Sequence, residues 1–135
     1  MIDYSFNWWA IIVSVVAIHF LGFLWYGPFF GKMWMRLSGI NPDTIDKKKG
    51  MNAMLIGLVA SVVMIYTLAH MIYTYGATTI SAGLQGGFWV WLGFIAVVLL
   101  NSVLYEKKPL KVYFINIGYY FVALPIAGAI IAVWR

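Results

Sequence analysis

The side chains able to do chemistry in this 135-residue chain are few. Histidine occurs only at His19 and His70, the acids are Asp3, Asp43, Asp46 and Glu106, and there is no cysteine. Without cysteine there is no disulfide, no thiolate ligand and no sulfur nucleophile. No HxxxH spacing offers zinc a ligand set, and no two acids sit within an apolar run for general acid and base work. Ser14 and Ser61 have no base near them in sequence from which a triad could form. A haem held between the two histidines needs them at one level. At about 1.5 Å of helical rise per residue their depths differ by about 16 Å. The expectation is therefore a protein that is not an enzyme and that carries no metal or cofactor.

What remains are polar side chains inside long apolar runs, where leaving them against lipid is costly. His19, Asn101 and Asn116 fall about 12, 5 and 9 Å from the same end of their runs by helical rise. Tyr26 lies two turns along the face of His19, and Tyr120 lies one turn from Asn116. His19, Tyr26, Asn101, Asn116 and Tyr120 are thus the candidate lining of a polar cavity. Imidazole changes charge near neutral pH, so such a cavity could bind a small-molecule solute or relay protons. The competing account is that these groups hydrogen-bond across helices and only fix their pairing. His70 belongs to the other end of its run, among Tyr66, Tyr73 and Thr74.

A further chemical candidate is the stretch "LWYGPFFGKMWMRLSGI" from Leu24 to Ile40. A phosphate loop of the Walker type has four residues between its first glycine and its Gly-Lys pair, then Ser or Thr. Here Gly27 and Gly31 enclose three, and Met33 follows Lys32. Nucleotide binding is not expected. Gly27-Pro28 should close one helix, and Pro28 suits the first turn of another. Over residues 28–38 a helical wheel places Phe29, Phe30, Met33, Trp34 and Leu37 on one face, with Lys32, Arg36 and Ser38 opposite; Met35 is the exception. That is a short amphipathic helix of the interfacial kind, stopped at Gly39, with Lys32, Trp34 and Arg36 as candidate contacts to lipid headgroups. Asn41-Pro42-Asp43 reads as a cap and a short helical turn, acids early and Lys47 to Lys49 late, as a helix dipole favours.

The elements that must position these residues follow from composition. Hydrophobic residues make up 64% of the chain and charged ones only 10%, with a mean hydropathy of +0.89. That leaves too little polar surface for a water-soluble globule of this size. Runs of the length that spans a bilayer as a helix occur at about 6–26, 51–75, 81–104 and 110–134. They do not alternate in polarity, so a β-barrel is excluded. The expected fold is all-α: one four-helix transmembrane domain with the amphipathic helix between its first and second spans. The N-terminus lacks the basic start and small-residue cleavage site of a signal peptide.

The nine cations are grouped, and the net charge of +5 therefore fits a membrane surface better than a nucleic acid. Lys32, Arg36 and Lys47 to Lys49 fall in one connection, while Lys107, Lys108 and Lys111 surround the other on the same side. Positive-inside bias puts loops 27–50 and 105–111 in the cytoplasm and both termini outside a cell membrane, the inner membrane of a bacterium. Trp8, Trp9, Trp34, Trp134 and Tyr105 lie near run ends, where amphipathic rings favour the interface. Small residues four apart, at Ala53, Gly57 and Ser61, at Gly83 and Gly87, and at Gly128 and Ala132, mark faces for close helix approach. With so many such faces, a homo-oligomer is expected. Pro125 should bend the last span.

The Leu24–Ile40 stretch, together with "GFWVWLGF", "LYEKKPLK" and "INIGYYFV", resembles the bacterial and archaeal membrane family catalogued as domain of unknown function 1761. The likeness runs over nearly the whole chain, most specifically from Tyr26-Gly27-Pro28 to Trp34-Met35. It implies a compact multi-span membrane protein and carries no reaction with it. The functional expectation is a small multi-span membrane protein that moves a solute or protons through the polar cavity; the alternative is a structural or accessory membrane protein without transport.

Overall fold

Long uninterrupted apolar runs satisfy their backbone groups within a helix. The computed structural model, which describes residues 1–135, is built of helices and turns without a strand. Four helical stretches are long and apolar enough to cross a membrane: Trp8–Phe29, Lys47–Tyr75, Ile80–Leu104 and Leu110–Val133. Only 25 of the 135 residues are buried, while Phe23, Ile56 and Phe94 keep 71, 70 and 65% of their surface open. A surface so apolar belongs against hydrocarbon, and the chain is a multi-pass membrane protein.

The elements are α1 (Trp8–Leu24) with a π-helical turn (Trp25–Phe29), α2 (Gly31–Leu37), a 3₁₀ turn (Pro42–Thr44) and α3 (Lys47–Tyr75). The third span is α4 (Ile80–Trp91), a second π-helical turn (Leu92–Ala96), α5 (Val97–Leu99) and α6 (Asn101–Leu104); α7 (Leu110–Val133) completes the bundle. The last helix is the hub, packed against α1, α3 and most extensively α4. Its contact with α4 is made backbone to backbone. A Cβ on Gly83 would come within 2.6 Å of the Ala129 Cα, and one on Gly87 within 2.6 Å of the Pro125 Cα. The main core joins Ile11, Val15 and Ile18 of α1, Ile65, Leu68 and Ile72 of α3, and Ala123, Leu124 and Ile131 of α7. All of these lie in the half of the bundle nearer the termini. A smaller cluster of Ala96, Tyr113 and Ile117 serves the other half.

At the terminal end, Tyr4 and Thr74 share a 2.9 Å hydrogen bond, and the Arg135 guanidinium donates to the Ala77 carbonyl at 2.7 Å while lying over the Tyr73 ring. The basic connections lie together at the opposite end, hereafter the basic end. There α3 parts from its neighbours: residues 51–60 are all exposed, and burial on this helix begins only at Ile65.

Several local expectations are corrected. Pro28 does not open the second helix. It lies inside the π-helical turn, where Gly27 takes φ −109° and ψ −105°, and the Phe30 amide donates to the Trp25 carbonyl five residues back at 2.9 Å. Proline has no N–H for the ordinary four-residue bond, and the turn widens to absorb that loss. The second helix therefore starts at Gly31, whose Cβ would strike the Tyr26 carbonyl group. It ends where expected, at Gly39 with φ +71°, where the Ile40 amide reaches back to the Met35 carbonyl. Lys47 to Lys49 do not end a short helix. They form the first turn of α3, on the wrong end of its dipole, and Asp46 offsets this by accepting from the Lys48 and Lys49 amides at 3.0 and 3.4 Å. Helix α3 has 29 residues, about 43 Å, so its lysine turn extends beyond a hydrocarbon core of about 30 Å.

Candidate functional site

Five polar residues were expected around one cavity, and the structure divides them into two places and a remainder. Tyr26, in the π-helical turn, donates to the Asn116 Oδ1 of α7 at 2.8 Å. Around that bond the rings of Trp34 and Tyr119 meet Tyr26 edge-on at 5.5 and 5.8 Å. Tyr119 in turn donates to the Ile18 carbonyl at 2.7 Å, and the Trp25 indole donates to the Ile115 carbonyl at 2.9 Å. The first span is thereby sewn to α7. The third span is sewn to the same helix by Trp91 on the Ile117 carbonyl at 2.8 Å and by Tyr113 on the Ala96 carbonyl at 2.6 Å. A helical carbonyl already accepts from its own ladder and has a second lone pair for such a donor.

His19 and Tyr120 occupy the second place. With Met54, Gly57, Ser61 and Met64 they line a cleft of about 370 Å³ between α1, α7 and the diverging part of α3. The His19 Nδ1 lies 2.9 Å from the Val15 carbonyl, so it carries the proton in the neutral ring and leaves Nε2 as an acceptor. Ser61 spends its hydroxyl on the Gly57 carbonyl at 2.9 Å. Neither the imidazole Nε2 nor the Tyr120 hydroxyl has a partner among the side-chain hydrogen bonds of the molecule.

Asn101 is not brought to either place. It is exposed on α6 and lines neither the His19 cleft nor the Tyr26–Asn116 contact. Glu106 is paired with Lys108 at 3.6 Å at the basic end. His70 is enclosed by aromatic rings, with Tyr4, Phe6 and Tyr66 centred 5.1, 4.5 and 4.7 Å from it, and its Nδ1 lies 3.2 Å from the Tyr66 carbonyl. Lys32 and Arg36 are exposed on α2 beside Pro28 and Phe29. Trp34 differs from its expected outward role: its ring packs on Tyr26, and its Nε1 is buried without a hydrogen-bond partner.

The partners that sequence reasoning missed were Trp25, Trp91, Tyr113 and Tyr119. For Tyr119 a signal existed, because it lies three residues from Asn116 and so shares its face as Tyr120 does at four. For the others the acceptor is a backbone carbonyl, which no residue type marks.

The family model for a protein of unknown function, DUF1761, matches residues 9–132. The chain belongs to the DUF1761 family. No curated protein and no solved structure matches it. The DUF1761 match opens at Trp9 in the first turns of α1 and closes at Ala132 near the end of α7, so it takes in all four spans, α2, the His19 cleft and the Tyr26–Asn116 contact.

Proposed function

We propose that this protein binds a small solute, or passes protons, at the His19 cleft of a cell membrane, in a binding or transport role and not as an enzyme. The observation that supports this reading is that His19 and Tyr120 line one cleft of about 370 Å³ within the spans, each with a polar atom that no protein group satisfies. Such atoms are costly against hydrocarbon and mark water or ligand when they persist. Positive-inside bias favours the cytoplasm for the basic end, and so for the mouth of the cleft where α3 diverges. On that orientation α2 lies along the cytoplasmic headgroups, with Lys32 and Arg36, one turn apart, meeting lipid phosphates.

The test is reconstitution in liposomes enclosing a pH-sensitive dye. The parent protein is expected to dissipate an imposed proton gradient, and His19→Ala to lose that flux while keeping its helical content and melting temperature. A parent that passes no protons, and whose melting temperature no member of a panel of small weak acids and bases raises, ends the proposal. The structural reading has its own support in the Tyr26–Asn116 bond, which spends both groups on holding α1 to α7. It predicts that His19→Ala lowers stability and leaves flux as it was.

We extend the reading to a homo-oligomer. Gly57 has open space where a Cβ would stand, at the wall of the His19 cleft and on a stretch of α3 exposed from residue 51 to 60, with Ala53 and Ser61 one turn to either side, so that a helix of a second copy can close over it. Gly57→Leu should leave the helix intact and shift the native mass of the detergent-solubilised protein to that of a single chain; an unchanged mass removes this part of the proposal.

A further inference from the structure

The basic end holds a second, partly open cavity that the His19 reading does not use. It is a cavity of about 360 Å³ between the last turn of α2, the connection from α6 to α7, and the first two turns of α7. Trp34, Ser38, Lys107, Lys108 and Asn116 supply its polar lining.

The chemistry of that lining is one-sided. The Trp34 Nε1 is a donor only, and it is buried without a partner. Tyr26 occupies the Asn116 Oδ1, so the amide turns its two remaining donors to whatever else is near. Lys107 and Lys108 add positive charge, and only Lys108 has an ion-pair partner, the Glu106 carboxylate at 3.6 Å. The α7 helix begins at the cavity wall, and Pro109 gives its first amides no side-chain cap, so the positive end of a 24-residue helix dipole points the same way. Among the side chains lining the space, the Ser38 hydroxyl and the second lone pair of the Asn116 Oδ1 are the acceptors, against the donors of Trp34, the Asn116 amide and two lysines. A buried donor without an acceptor is costly, and here it belongs to a side chain on the wall of a cavity whose lining carries a net positive charge.

The backbone supports the same conclusion. Lys107 takes φ +56° in the one left-handed conformation adopted by any residue other than glycine in the molecule. Glycine is the residue that fits such a position, and lysine is there instead, on the wall of the cavity.

We propose that this cavity is an anion site for a phosphate group, held by the Trp34 indole N–H, the Asn116 amide and the Lys107 ammonium. At about 30 Å³ for a water, the space exceeds a bare oxyanion and leaves room for an ester substituent. The phosphate can therefore belong to a lipid headgroup or to a soluble compound. Two variants separate binding from folding. Lys107→Gly removes the charge and relieves the left-handed backbone, while Trp34→Phe removes the unpartnered N–H and keeps a ring against Tyr26.

The experiment titrates the full chain in a neutral detergent with inorganic phosphate, and separately with short-chain phosphatidic acid, at constant ionic strength set by chloride. The melting temperature is the readout. The parent is expected to gain several degrees with at least one probe. Both variants should melt at or above the parent without ligand, yet require at least fivefold more ligand for the same gain. A response to inorganic phosphate assigns a soluble source, and a response to the lipid alone assigns the headgroup. No gain with either probe, or a gain that both variants retain at the parent's ligand concentration, overturns the site.

Discussion

A single hydrogen bond inside a span has a modest value, and two residues of this chain show it with opposite signs. Tyr26→Phe removes the donor to the Asn116 Oδ1 and leaves the ring contacts with Trp34 and Tyr119. A loss of about 0.6 to 2 kcal/mol is expected from such an interhelical bond, measurable as a lower unfolding midpoint in mixed micelles. Ser14 is fully buried on α1 with a hydroxyl that bonds to nothing. Ser14→Ala removes a desolvated group without breaking any bond, so the same midpoint should stay or rise. At this scale the sequence was partly legible. His19, Tyr26, Asn116 and Tyr120 stood out because polar letters are rare in apolar runs, but their partners depend on how each helix is rotated in the bundle. That rotation pairs Tyr26 with Asn116, sends His19 to Tyr120 and leaves Asn101 outside both. The indole and phenol donors of Trp25, Trp91, Tyr113 and Tyr119 were less legible still, because their acceptors are carbonyls common to every residue.

At the scale of elements, small residues have opposite meanings on different helices. Gly87 sits where α4 meets α7 so closely that an added Cβ would collide with the backbone of Leu124 and Pro125. Gly87→Val cannot be absorbed by a flexible side chain, and it should prevent the third span from docking, seen as loss of the folded monomer in detergent. The pairs Gly83 and Gly87, and Gly128 and Ala132, announced through their spacing that these faces can come close. The same spacing at Ala53, Gly57 and Ser61 announced an approach that the chain does not make, since α3 departs there. Spacing shows that a face can come close and leaves open which element meets it. The two π-helical turns were not legible for a related reason. A one-residue widening leaves hydropathy unchanged, and only Pro28 hinted at the first. Helix α3 shows how a local rule can yield to its setting. Its three lysines occupy the turn where cations are unfavourable, and Asp46 is what makes that start tenable. Asp46→Ala should cost about 1 kcal/mol and fray residues 47–50, detectable as faster amide exchange at this end alone.

Over the whole molecule, core and chemistry are segregated. The packed apolar residues of α1, α3 and α7 fill the half nearer the termini, whereas the His19 cleft, the Tyr26–Asn116 contact and the donor-lined cavity fall toward the basic end. The packed half holds the spans together, while α3, exposed over residues 51–60, leaves a cleft in the other half. Four spans in sequence return both termini to one face, and the Tyr4–Thr74 and Arg135–Ala77 bonds are the physical form of that return. Because the chain has no cysteine, single substitutions report this arrangement cleanly. Ser5→Cys and Thr78→Cys should both react with a membrane-impermeant maleimide added to intact cells. Ser38→Cys and Lys48→Cys should react only after the membrane is opened, because the proposed orientation turns the basic loops inward. Labelling of Ser38→Cys but not Ser5→Cys in intact cells would invert the orientation and move the mouth of the His19 cleft to the outer surface. Labelling of Ser5→Cys and Thr78→Cys from opposite sides would contradict the four-span fold itself, since one hydrogen-bonded end cannot lie on both faces of a bilayer.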